Sequence, residues 1–344
     1  MNRQRLLTAL LCAGATCFAG CAIRTTRPYD AAAARAPATG PVPQIFQYTA
    51  DAQPLSNHML PELDTRTHVA RQLTWQSVGD NGQPGMDVTA EYFQSNQPGT
   101  HPLVIVLPLW GTYTYPPQKI AEGIRDRGAG DTHVLRVLGE RYLFDWDELA
   151  SSPDPETFRA RTAQMSERMR VTVIDVRRLI DWAQQQPEID PHRIGLVGFS
   201  MSAVAGGLVL GSDDRVRSAA LVMGGADLHD IIASCNGPFQ RVREDVLARF
   251  GWTQEQYHAV VEDTWSWLNP TQFPARIDAN RILMFDAQRD ECMPQHARDD
   301  FWETLGEPRR ISFHYGHKKS FLAMTPLGFN YMRRQIYRFL DATL

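Results

Sequence analysis

The segment that most constrains this chain is Ile194-Gly195-Leu196-Val197-Gly198-Phe199-Ser200-Met201-Ser202, followed by Ala203-Val204-Ala205-Gly206-Gly207-Leu208. The apolar run reads as a strand buried on both faces of a sheet. The small residues after it read as a helix packed closely on that strand, and a serine sits at the turn between them. In a G-x-S-x-G turn of this kind the serine backbone is strained, its Oγ projects above the sheet, and the neighbours must be small because strand and helix approach each other. Here Ser202 replaces the second glycine and adds a hydroxymethyl group, which tightens the packing. The setting favours the strained turn over a plain strand-to-helix turn capped by Ser200.

A doubly buried strand needs partners, and the sequence supplies them. Arg71 to Val78 and Met86 to Gln94 alternate in the manner of strands and are separated by the turn formers of residues 79–85, which predicts an antiparallel pair. Apolar runs follow at Pro102 to Leu107, His133 to Leu138, Arg193 to Phe199, Ala219 to Met223, Arg281 to Phe285 and Arg310 to His314. Helical patterns lie between them. Phe158 to Gln186 carries Met165, Met169, Val173, Val176 and Ile180 on one face, with Arg161, Arg168 and Arg178 expected on a solvated face beside Glu167, Asp175 and Asp181. Phe329, Met332, Ile336, Phe339 and Leu340 repeat the apolar pattern at the C-terminus. The alternation specifies an α/β fold, a mostly parallel sheet covered by helices on both faces with right-handed crossovers. With 344 residues and 43% hydrophobic content, one domain with insertions is expected.

One interval breaks the rhythm. Residues 227–274 read as two helices, Gln240 to Phe250 stopped by Gly251 and Gln254 to Leu268 opened by Thr253 and Gln256 at capping-box spacing. This insertion is expected to be a helical cap, with Val242, Val246, Phe250, Tyr257, Val260 and Val261 covering the catalytic domain or lining its pocket. A peripheral insertion packed away from the site is the alternative.

The N-terminus reads as an export signal. Arg3 and Arg5 precede an uncharged stretch from Leu6 to Gly20, too short for a permanent membrane span, and small residues lead to Cys21. That pattern resembles a bacterial lipobox, with Phe18 where Leu is usual, and implies lipidation of Cys21 and a protein anchored to a bacterial membrane, periplasmic or surface-facing. Residues 21–44, rich in Ala, Pro and Thr, are expected to be a tether before a catalytic domain at 45–344. Export permits a disulfide between Cys235 and Cys292, the remaining cysteines; two separate buried thiols are the alternative. A net charge of −4 offers no basic field overall, which argues against nucleic acid as a partner.

A serine hydroxyl is a weak nucleophile, so Ser200 needs a base and the base needs an orienting acid. Candidates lie at the ends of the last two strands: Asp286-Ala287-Gln288-Arg289-Asp290-Glu291-Cys292-Met293-Pro294, then Tyr315-Gly316-His317. With these motifs in order, the chain resembles the α/β-hydrolase superfamily, specifically its prolyl-oligopeptidase and dienelactone-hydrolase-like esterases, over roughly residues 70–344. Those proteins show G-x-x-D-x-x-V-P after the seventh strand and G-H after the eighth. The resemblance implies the α/β-hydrolase fold, Asp290 as acid and His317 as base. Asp286, Glu291 and His314 rank behind them: Asp286 is too near its strand end, and His314 should still lie within its strand. The oxyanion hole would use the N–H of Met201 and one from the loop after the Leu107 strand, where Pro108-Leu109 replaces His-Gly and Trp110 takes the donor position, with Gly111 the alternative. Tyr113 and Tyr115 are candidate walls of the substrate pocket.

No H-E-x-x-H, paired C-x-x-C or phosphate-binding glycine loop is present, so neither a metal nor a cofactor is expected. The expected activity is hydrolysis of small-molecule carboxylic esters through an acyl-enzyme. A peptidase or thioesterase with the same triad, and a non-catalytic binding lipoprotein on this fold, are the alternatives.

Overall fold

The computed structural model describes residues 24–49, 53–79, 87–109, 115–139 and 145–344. Among these, ten strands form one sheet: β1 (Arg24–Arg27), β2 (Ser56–Met59), β3 (His68–Gln76), β4 (Asp87–Ser95), β5 (His101–Val106), β6 (His133–Val137), β7 (Ile189–Phe199), β8 (Val216–Val222), β9 (Ile282–Ala287) and β10 (Arg309–Phe313). Their spatial order is β1-β10-β9-β8-β7-β5-β6-β4-β3-β2. The six strands from β10 to β6 run parallel, and β4, β3, β2 and β1 add antiparallel edges. The expected pair of β3 and β4 forms, with Arg71 opposite Tyr92 and Leu73 opposite Ala90.

The continuous apolar runs exist because alternate residues feed two cores. Leu103, Ile105 and Leu196 enter one apolar cluster, while Val104, Val106 and Val197 enter the other. Helices cover both faces: α1 (Tyr115–Arg125), α2 (Trp146–Ala150), α3 (Pro155–Ala183), α4 (Met201–Ser212), α5 (Leu228–Ser234), α6 (Pro238–Phe250), α7 (Gln254–Trp265), α8 (Gln295–Thr304), α9 (His317–Ser320) and α10 (Tyr331–Thr343). Because β5 has β6 on one side and β7 on the other, strand order reverses there, and a crevice is expected beyond the carboxyl ends of these strands.

The insertion at 227–274 supplies α5, α6 and α7. Gly251 ends α6 at φ 64°, and Thr253 and Gln256 make the reciprocal capping box of α7. Val242, Val246, Tyr257 and Val261 are buried, while Phe250 and Val260 pack at the margin of the same cluster. Their footing is α3, where the Phe158 and Tyr257 rings lie 5.7 Å apart.

Three expectations are corrected. Residues 24–44 are docked on the body: β1 pairs antiparallel with β10, the Ala38 N–H bonds the Ala275 carbonyl at 2.8 Å, and Arg27 stacks on Trp302 at 3.8 Å. An otherwise unpaired β10 edge supplies the hydrogen bonds that a polar, Ala- and Pro-rich segment cannot make within itself. Arg178 and Asp175 are buried, because α3 turns this side toward β3, where Arg178 donates to the Gln76 carbonyl and Asp175 accepts from the Ser77 hydroxyl. Phe329 lies before α10 and is exposed; a left-handed residue at φ 57° takes it off the apolar face that Met332 and Ile336 bury.

Candidate active site

Ser200 joins β7 to α4 at φ 52° and ψ −123°, a conformation that side chains rarely adopt outside sharp functional turns. Gly198 makes the turn possible, since a Cβ there would lie 2.4 Å from the Ser202 carbonyl oxygen. The substitution of Ser202 for glycine is accommodated by hydrogen bonding. Its buried Oγ accepts the Phe199 N–H at 2.8 Å and stands 2.9 Å from the Phe199 carbonyl, tying the strand end to the first helical turn.

His317 reaches this serine from the loop after β10. Its Nε2 is 3.1 Å from Ser200 Oγ, and its Nδ1 is 2.8 Å from Asp290 Oδ2. The Asp290 carboxylate is fully buried, and its other oxygen accepts the Cys292 and Met293 N–H groups, each at 2.8 Å. Fixed on three sides, the carboxylate assigns the proton to Nδ1 and leaves Nε2 to accept from Ser200. The Phe321 ring packs edge-on to the imidazole, with centroids 5.8 Å apart.

The runners-up take other places. Asp286 belongs to β9, where Arg298 and Arg310 bind its buried carboxylate. His314 falls one residue beyond β10 instead of within it, and the position beside Ser200 is filled by His317. Glu291 has a separate role that spacing did not reveal: its Oε2 accepts the backbone N–H of His317 at 2.8 Å. A Cβ on Gly316 would lie 2.4 Å from that oxygen, which explains the glycine before the histidine.

The open choice for the cysteines is resolved as a disulfide between Cys235, at the end of α5, and Cys292. The Asn236 N–H also bonds the Glu291 carbonyl at 3.0 Å, so the insertion grips the loop that carries Asp290.

Met201 is the first residue of α4, and its N–H is among the first-turn donors that lack an acceptor within the helix. Trp110, Gly111 and Tyr113, the other expected oxyanion and pocket residues, lie outside the described residues, as does Cys21. Tyr115 opens α1 and is half-buried. Among the described residues no three His, Cys, Asp or Glu side chains are grouped to hold a metal. The described residues bring together an oriented serine, imidazole and carboxylate beside a helix N-terminus.

No protein-family model matches the chain, and no curated protein matches it in sequence. Solved structures do. An acetyl xylan esterase from Paenibacillus sp. R4 superposes with a TM-score of 0.60 at 17% identity, over 84% of this chain and 88% of that one. Acetyl xylan esterase 1 from Thermoanaerobacterium sp. JW/SL YS485 gives 0.56 at 16% identity, over 85% and 96%. The Pyrococcus horikoshii acylaminoacyl peptidase gives 0.53 at 12% identity over 81% of this chain, which spans 42% of the peptidase. A mostly parallel sheet sandwiched by helices, with its sharp serine turn at the end of β7 and these likenesses over most of its length, has the α/β-hydrolase fold.

Proposed function

We propose that this protein is a serine hydrolase of small carboxylic esters. The observation that carries the reading is the line Ser200–His317–Asp290, with a strained serine 3.1 Å from an imidazole that is itself 2.8 Å from a buried carboxylate. Ser200 Oγ attacks the ester carbonyl while His317 Nε2 takes its proton. Asp290 holds the imidazole in its tautomer and stabilises the imidazolium. The Met201 N–H, with a second donor from residues 110–111, meets the oxyanion of the tetrahedral intermediate. His317 then returns the proton to the leaving alcohol, leaving an acyl-enzyme, and water activated by the same imidazole releases the acid.

Likeness to acetyl xylan esterases over nearly whole chains favours esters with short acyl groups, whereas the peptidase likeness extends over less than half of that protein. The sequence of the first 21 residues adds export and lipidation at Cys21 to this reading. A fluorophosphonate should label Ser200 in the folded protein and an aryl acetate should be turned over, both lost in Ser200→Ala. Folded protein that neither labels nor turns over would make the fold a binding module.

A further inference from the structure

Six large apolar side chains are exposed among the described residues, and three of them fall within eight residues: Leu322 at 51%, Leu327 at 80% and Phe329 at 63%. The loop that bears them is held in shape. Gly328 and Asn330 N–H groups both bond the Thr325 carbonyl, at 3.0 and 2.9 Å, the Phe329 N–H bonds the Pro326 carbonyl at 2.9 Å, and Met324 is fully buried beneath. A structured loop that turns adjacent large apolar groups outward marks an interaction surface.

Charge indicates the kind of partner. From Pro308 to Leu340 the chain has seven Lys and Arg and no Asp or Glu, although the whole protein is acidic. Lys318, Lys319, Arg334 and Arg338 are exposed. Strand β1 begins at the same place, since the Arg24 guanidinium lies 3.8 Å from the centre of the Tyr331 ring, two residues from Phe329. Cys21 precedes Arg24 by three residues, a reach of at most about 11 Å. With β1 fixed on β10, no long tether separates that cysteine from the body.

We propose that the surface formed by Leu322, Leu327, Phe329 and the flanking cations docks on an anionic bilayer, the one to which Cys21 would be anchored; the proposal rests on the lipid-anchor reading. The apolar tips enter the headgroup region and the cations meet anionic lipid, the second attachment that a lipid chain needs for lasting binding. The docking segment begins just after His317, so this contact also sets how the site stands relative to the membrane.

The test is hydrogen–deuterium exchange on the full chain, expressed with its own N-terminus and reconstituted into phosphatidylethanolamine–phosphatidylglycerol vesicles or into phosphatidylcholine vesicles. Amides of residues 318–330 should exchange about tenfold more slowly on the anionic vesicles. The L327S/F329S variant, altered only at exposed positions, should hydrolyse a soluble aryl ester at the wild-type rate and lose that protection. If both vesicles hold the protein but exchange at 318–330 is the same, the docking proposal falls and the anchor stands. Failure to float with either vesicle overturns both. Protection that instead appears without lipid and follows a dimer in sedimentation would make the surface a contact between two copies and overturn the bilayer as its occupant.

Discussion

Asp286 and Asp290 are four residues apart, yet their surroundings give them different work. Asp290 touches His317, whereas the buried Asp286 pairs with two arginines, Arg298, which is buried, and Arg310, which is partly so. Asp290→Asn should lower kcat by about 10³ to 10⁴ through the wrong imidazole tautomer, with the fold intact. Asp286→Asn should leave kcat of folded protein near wild type and reduce stability by ~3–5 kcal/mol, because buried Arg298 loses its carboxylate partner, whereas Arg310 keeps Asp299. Aryl acetate kinetics and denaturant melts on both variants check this, and the reverse ranking would show that the acid is misassigned. Glu291 acts through the backbone of His317 and is a positioning residue. Glu291→Ala should reduce kcat about tenfold with KM little changed, whereas Glu291→Gln keeps an oxygen acceptor and should stay within about twofold. Equal losses in the two variants would tie the effect to charge instead of position.

At the scale of elements, the insertion is a clamp on the loop that carries Asp290. α7 is anchored on α3 through Tyr257 and Phe158, and the disulfide at the end of α5 fastens the insertion to the residue two beyond Asp290. Closing a loop over a separation of 57 residues is worth ~4 kcal/mol in the chain-entropy account. The Cys235→Ala/Cys292→Ala double variant should therefore unfold at markedly lower denaturant concentration. It should also lose turnover, because the Cys292 N–H that holds Asp290 is no longer fixed by the bridge. A variant that loses stability but keeps full kcat would show that the bridge does not position the acid. The two helices of this insertion were legible through Gly251 and the Thr253 capping box, which are local signals. β1 was not, because Arg24-Thr25-Thr26-Arg27 has no apolar alternation and becomes a strand only against the edge of β10.

Across the whole molecule, the long helix α3 buries charge against the sheet, and this makes stability depend on pH. Burial pushes the Asp175 carboxyl up from 3.8 to about 6, against the opposing bonds from Ser77, Val78 and Arg178. Between those two values the folded state binds more protons than the unfolded state, so the contribution of this group is largest below pH 3.8 and declines as pH rises to about 6. Asp175→Asn removes that decline. Wild-type Tm should therefore fall relative to the variant between pH 4 and pH 7, measured by thermal melts of both proteins in matched buffers. A constant difference across this range would mean that Asp175 does not titrate there.

The sequence by itself determined the alternation of strands and helices, the serine turn after β7, and the loops that deliver an aspartate and a histidine, because each is written in local periodicity, small residues and turn chemistry. Only the tertiary structure decided which carboxylate meets His317, that Glu291 holds its backbone, that Cys235 joins Cys292, and that the N-terminal segment closes an edge of the sheet. These contacts join residues distant along the chain, from 26 residues apart for Glu291 and His317 to nearly the whole chain for β1 and β10. Their energy comes from burial, edge pairing and the matching of charges across elements. No single window of sequence contains both partners, so a local pattern can nominate a residue, as it did Asp290, but the contact itself forms only in the folded chain.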